Sequence, residues 1–194
     1  MTKYDDIKKA VFSVEHKADP YAENDITTIV QDYKELLGEL RTTMNIITDA
    51  IKGVNSDIKE LVSDLNKLDK IKDQTKRGTT KDKQVKIFAS KLDVFNTKFN
   101  YELQIFPIKL RRLKQLNTSI TSYPEFESTP SKDQFNHAIA NFKGEVEHIL
   151  DSTKTLLENI DEWPALNIEF NKSKRKCELA LIEFIKGLLA YVEE

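Results

Sequence analysis

The sequence predicts an all-α protein, an elongated antiparallel up-down four-helix bundle with long heptad-patterned helices and a short N-terminal helix. The first observation is that apolar residues recur in alternating steps of four and three, without a slip, from Ile26 to Leu68. This 3.5-residue repeat is typical of a long packed helix. The second is composition, because 194 residues include only five glycines and five prolines, with 32% charged residues. Such a mixture favours long uninterrupted helices, and we expect residues 1–194 to form a single domain.

The first long helix is expected over residues 25–72. Its repeat positions are Ile26, Val30, Tyr33, Leu37, Leu40, Met44, Ile47, Ile51, Val54, Ile58, Leu61, Leu65 and Leu68. Ile29, Leu36 and Ala50 widen this apolar stripe, which indicates that the helix contacts two or more neighbours. A shorter helix is expected over residues 3–17, and it is too short to be stable unless it docks on the bundle.

Three further helices are expected, over residues 81–120, 131–162 and 164–192. Residues 73–83 contain no apolar side chain and include Gly78, so they predict the first turn between helices. Pro107 interrupts the second helix pattern and predicts a kink there. Because the connections are short, we expect consecutive helices to pack antiparallel. The first two helices are the longest, which predicts a protruding hairpin with its tip near Gly78.

Cysteine usage and hydropathy bound the cellular location. Cys177 is the only cysteine, so one chain contains neither an internal disulfide nor a cysteine-based zinc site. No run approaches the roughly 18 consecutive apolar residues of a membrane span. The start, MTKYDDIKKAV, has no apolar core of a secretory signal. We therefore expect a cytoplasmic protein without a transmembrane segment.

The sequence offers no convincing catalytic, cofactor-binding or metal-binding residues, and we expect a protein that is not an enzyme. Glu145 and His148 form one Glu-x-x-His pair, whereas di-iron bundles need two such pairs and further carboxylates. Spacing places His148 on the solvent side of its helix. Cys177 falls on the inner face of the fourth helix, where a small buried side chain is the expected role.

Charge is distributed unevenly along the chain. The net charge is −2, yet residues 67–114 carry 14 basic and 5 acidic side chains, a local excess of +9. Two basic groups are expected to meet at one end of an up-down bundle, as a candidate interaction surface for phosphates or acidic partners. The residues of this surface are Lys76, Arg77, Lys81, Lys83, Lys172, Lys174, Arg175 and Lys176. The alternative is that these side chains only solvate the end of the bundle.

Three functions are compatible with these patterns. The first is a non-enzymatic interaction protein, an adaptor, scaffold or regulator that binds another protein or a second copy of itself. The second is a binder of nucleic acid or an anionic membrane surface through the basic end. The third is a metal-dependent helical-bundle enzyme. The regular heptad pattern and the lack of a catalytic constellation favour the first.

Overall fold

The computed structural model describes residues 26–123, 132–163 and 166–193. It contains four helices, α1 (Ile26–Leu68), α2 (Gln74–Thr121), α3 (Lys132–Asp161) and α4 (Ile168–Val192). These parts of the chain include no β-strand. The prediction of an all-α four-helix bundle is therefore confirmed. The short helix expected over residues 3–17 lies outside the described residues.

The heptad repeat of α1 forms one wall of the core. Its repeat positions from Tyr33 to Leu61 are buried without exception, and Leu65 is half-buried. Ile29 and Leu36, which widen the stripe, are buried as well. Helix α1 packs against both α2 and α3. The expectation that this helix has more than one neighbour is confirmed, and the reason is the width of its apolar stripe.

Helices α1 and α2 form an antiparallel hairpin. Lys91 Nζ of α2 lies 2.7 Å from Asp57 Oδ1 of α1, and Lys109 Nζ lies 2.9 Å from Glu39 Oε2. The partner residue number falls as the α2 number rises, which is the register of antiparallel helices. Each α2 residue is therefore level with a defined part of α1.

The neighbour order around the core is α1, α2, α4, α3. Helices α2 and α4 run parallel, because Phe88 stacks near Phe170 at 5.9 Å and Phe106 near Phe184 at 5.8 Å between ring centroids. Helices α2 and α3, although consecutive in the chain, lie opposite each other across the core. The expected packing of consecutive helices holds for α1 with α2 and for α3 with α4, and it does not hold for α2 with α3.

The length of the connection explains this diagonal step. Ten residues, 122–131, separate α2 from α3, whereas five residues, 69–73, join α1 to α2. Adjacent helices pack about 8–10 Å apart, so the diagonal of a four-helix square is roughly 14 Å. Ten residues span at most about 33 Å. The longer connection therefore reaches the opposite corner.

The first turn lies earlier than the sequence predicts. Helix α2 begins at Gln74, and Asp73 caps it by accepting a hydrogen bond of 3.0 Å from the Lys76 backbone N–H. The turn expected at 73–83 is therefore wrong, and most of that segment is the first part of α2. The backbone φ angle of Gly78 is not positive. A glycine inside a helix lowers its stability by only about 1 kcal/mol relative to alanine. Helix α2 also continues through Pro107, where the expected kink stays a prediction.

The threonines after Gly78 do not cap the helix. The hydroxyls of Thr79 and Thr80 donate hydrogen bonds to the carbonyls of Thr75 and Lys76, four residues earlier in α2. Threonine in a helix commonly makes such a bond, which leaves the helix intact. Sequence alone does not distinguish this use of threonine from an N-cap.

Candidate functional site

Helices α1 and α2 extend beyond the ends of α3 and α4. Near the end of α3, Asn159 Nδ2 donates a hydrogen bond of 3.0 Å to Asn55 Oδ1 of α1. Near the start of α4, the Phe170 ring lies against Phe88 of α2. The part of the hairpin past these contacts, residues 62–86, is called the hairpin tip below. The protruding hairpin expected from the helix lengths is therefore present.

The hairpin tip is basic. Residues 62–86 contain eight basic and four acidic side chains. Lys76, Lys81 and Lys83 are exposed, and Arg77 is half-buried. A net positive charge on a projecting helical tip attracts anionic partners at low ionic strength.

The second predicted basic group does not join the tip. Asn96 Nδ2 of α2 donates a hydrogen bond of 3.1 Å to the carbonyl of Ser173, so α4 near Ser173 is level with Asn96. Lys76 precedes Asn96 by roughly 20 residues, about 30 Å along the helix. The expectation that residues 172–176 meet the first turn is therefore wrong. The reason is the overhang of the hairpin, which carries the turn past the start of α4.

Lys174 has a structural role. Its ammonium donates hydrogen bonds to the backbone carbonyls of Trp163 and Asp161, and it lies 3.8 Å from the Glu178 carboxylate. The last carbonyls of a helix lack partners within the helix and carry partial negative charge. Lys174 therefore closes the end of α3 and joins it to α4. Its mostly buried side chain is not available to a partner.

The remaining basic residues of α4 lie at the surface. Lys172, Arg175 and Lys176 are exposed. Arg175 Nη1 is 4.0 Å from Glu178 Oε2, a weak contact within one helix. These three side chains form a small basic patch on the body of the bundle, separate from the hairpin tip.

The Glu-x-x-His pair does not converge on a site. Glu145 accepts two hydrogen bonds from the Arg41 guanidinium, at 3.0 and 2.9 Å, which join α1 to α3. His148 is exposed as expected, and His137 is exposed as well. Within residues 26–123, 132–163 and 166–193, no group of three or more His, Cys, Asp or Glu side chains is placed to hold a metal ion.

Cys177 is fully buried in α4, as expected. Burial, with a smaller contribution from the Glu178 carboxylate, raises the pKa of its thiol to about 12. A reactive cysteine requires the thiolate, which a lowered pKa provides. At neutral pH this side chain is a protonated, small apolar group of the core.

The most distinctive exposed feature is a row of apolar side chains on the outer face of the α1–α2 hairpin. Ile87, Val94 and Tyr101 lie on the outer face of α2 at intervals of seven residues, 44%, 62% and 66% exposed. Ile46 of α1, 46% exposed, is level with Tyr101 in the register set by the α1–α2 ion pairs. These four residues are called the apolar stripe below. Their seven-residue spacing was the available signal, but the stronger core repeat of Phe88, Leu92 and Phe95 hid it.

A groove of about 1020 Å³ runs between α2 and α4. Leu103 and Pro107 of α2, with Leu179 and Gly187 of α4, form part of its wall. It is shallow and open to solvent along its length. This open form resembles a packing furrow more than a catalytic cleft.

None of the four described helices carries an apolar stretch that could span a lipid bilayer. Comparison with protein-family models, with curated proteins and with solved structures finds no match.

Proposed function

We propose that this chain is a non-enzymatic interaction protein, an adaptor, scaffold or regulator that acts by protein–protein contact. The observation that carries the proposal is the apolar stripe. Four of the seven large apolar side chains that are exposed in the described part of the chain belong to it. Single exposed apolar residues need no explanation, whereas several aligned on one face of a helix are typical of a contact surface.

The geometry of the stripe suits a helical partner. Residues seven apart on one helix lie about 10 Å from each other and form a nearly straight row. A partner helix that lies along this row covers all three α2 side chains at once, which is a common mode of protein recognition. Lysines border the row, and their charges favour partners of complementary charge at the rim.

The proposed location is the cytosol. Its support is that the one cysteine is buried and has no partner cysteine in the chain, which suits a reducing compartment. The proposed function requires no cofactor. Recognition through an apolar row with a polar border depends on surface complementarity alone.

The proposal is tested by removing the stripe. The wild-type chain is used to capture proteins from a lysate of its native cells, and the same is done with the double variant Val94→Glu, Tyr101→Glu. We expect the variant to recover about tenfold less of the captured proteins, because hot-spot residues contribute about 2 kcal/mol or more each. The matched control, Val62→Glu with Ile168→Glu, changes two exposed apolar residues elsewhere and retains capture. Quantitative mass spectrometry measures the recovery, and circular dichroism confirms that helicity is unchanged. Equal recovery by both double variants would contradict the proposal.

A second candidate function is the binding of an anionic partner, nucleic acid or membrane surface, through the hairpin tip. The specific observation is the basic excess of residues 62–86 on a projecting hairpin. No aromatic side chain lies in this segment, so the binding is electrostatic and lacks base stacking.

We expect Lys76→Glu with Arg77→Glu to weaken binding to single-stranded RNA or anionic vesicles by about tenfold at 50 mM salt, because both charges face the phosphates. The control, Arg175→Glu with Lys176→Glu, makes the same change of charge about 30 Å away and has a smaller effect. Fluorescence anisotropy and vesicle sedimentation measure the two cases. Absence of wild-type binding at 50 mM salt removes this candidate.

A further inference from the structure

The outer face of the α1–α2 hairpin has one acidic side and one basic side. On α1, carboxylates follow the outer surface and the edge next to α2, together called the acidic edge below, and lysines lie on the opposite flank of the helix. The residues of this acidic edge are Asp32, Glu35, Glu39, Asp49, Asp57, Glu60 and Asp64. On α2, the flank beside the apolar stripe carries Lys83, Lys91, Lys98, Lys109 and Arg112, with half-buried Glu102 as its one carboxylate.

Part of this charge is already paired within the chain. Asp57 and Glu60 contact Lys91, and Glu39 contacts Lys109. Asp49, Glu35, Lys83, Lys98 and Arg112 have no ion pair within the described residues, and all five are exposed. The face therefore retains charges of both signs that have no ion pair, negative on α1 and positive on α2, and the apolar stripe lies beside the basic side chains of α2.

From this arrangement we infer that the α1–α2 face pairs with the same face of a second copy of the chain, about a two-fold axis parallel to the helices. That axis places α1 of each copy opposite α2 of the other, so each acidic edge meets a basic flank. A two-fold axis across the helices places α1 on α1 and brings like charges together. Isologous pairing of this kind is the commonest form of homodimer.

The register within the hairpin fixes which residues meet. The Lys91–Asp57 and Lys109–Glu39 ion pairs place Lys98 level with Asp49, and Arg112 level with Glu35. A two-fold axis parallel to the helices preserves these levels. Lys98 of one copy therefore faces the acidic edge of the other copy near residue 49, and Arg112 faces it near residue 35.

The apolar residues meet in the same arrangement. Tyr101 of one copy is level with the other copy's Ile46, and Val94 is level with its Gly53. A Cβ added at Gly53 has no atom within 4 Å, so the surface there has room for a branched side chain. The same pairing therefore brings together apolar side chains and opposite charges.

This inference rests on the proposed function, since it names the partner of the apolar stripe as a second copy.

The test uses two complementary charge-reversal variants of the full chain. The first carries Lys98→Glu and Arg112→Glu, and the second carries Glu35→Lys and Asp49→Lys. Each homodimer then has like charges at every facing position, whereas a mixed dimer has opposite charges at all of them.

We expect analytical ultracentrifugation to show a wild-type dimer that weakens as salt rises. Each variant alone should show a dimer dissociation constant raised about tenfold or more, because several rim charges are reversed in both copies. An equimolar mixture should recover the wild-type value. The matched control Lys154→Glu, an exposed lysine of α3, leaves the dimer unchanged.

A wild-type chain that stays monomeric at about 100 μM overturns the inference. So does a mixture that fails to recover dimer formation, or a variant that dimerises as well as the wild type. The proposed function is judged separately. If the wild-type chain is monomeric and the Val94→Glu, Tyr101→Glu variant still loses a captured protein, then the stripe binds a different partner.

Discussion

Phe106→Ala is expected to lower the free energy of unfolding by about 3–5 kcal/mol, the usual cost of removing a large aromatic side chain from a core. Phe106 is fully buried, and its ring lies 5.8 Å from that of Phe184 on α4. The loss has two parts, the apolar area returned to water and the cavity left between α2 and α4.

Such a loss is a large fraction of the roughly 5–15 kcal/mol that keeps a typical domain folded. Urea denaturation followed by circular dichroism measures it as a lower transition midpoint with an unchanged slope. The control Ile168→Ala truncates a side chain that is 87% exposed, and we expect it to stay within about 0.5 kcal/mol of the wild type. A loss under about 1 kcal/mol for Phe106→Ala would contradict the described core.

Gly187→Ala should destabilise the bundle by about 1–3 kcal/mol, although alanine is the better helix former by about 1 kcal/mol. A Cβ at Gly187 would overlap Cβ and Cγ of Pro107. The proline ring is rigid and cannot turn aside, so α4 or α2 must shift. Gly187 is therefore needed for the close approach of these two helices.

The matched control is Gly144→Ala on α3, where an added Cβ has no atom within 4 Å. We expect this substitution to raise stability by about 0.5–1 kcal/mol through helix propensity alone. Thermal and urea denaturation of both variants separate the two effects by their opposite signs. A cycle with Pro107→Gly isolates the contact, because Gly187→Ala should cost less once the ring is absent. Stabilisation by Gly187→Ala would show that the helices are farther apart than described.

Fold class and helix content follow from local patterns in this chain. The unbroken repeat from Ile26 to Leu68 predicts α1 to within a few residues at its C-terminal end, because a 3.5-residue period is compatible only with a packed helix. The same reasoning predicts that Cys177 is buried and that the first two helices protrude. The apolar repeat and the length of each helix depend on residues close together in sequence.

The candidate surface was predicted less well, and the reasons are physical. Lys172 and Lys76 are far apart because the α1–α2 hairpin extends past the start of α4. The extent of this overhang depends on the position of the turn, and Gly78 is compatible with both a turn and a helix. Lys174 resembles its exposed neighbours in sequence, yet only packing reveals that it contacts the Trp163 carbonyl at the end of α3.

Local patterns are enough to predict the long amphipathic helices of this chain, because burial of a periodic apolar face is a local property of each helix. The packing of the whole chain is needed to establish which helices are neighbours, which lysines remain at the surface and which apolar residues stay uncovered. Ile87 and Phe88 are adjacent in sequence, but one is exposed and the other is buried. The difference arises because α1 and α4 cover only one face of α2. Their positions around α2 depend on the connections and the packing of the whole chain.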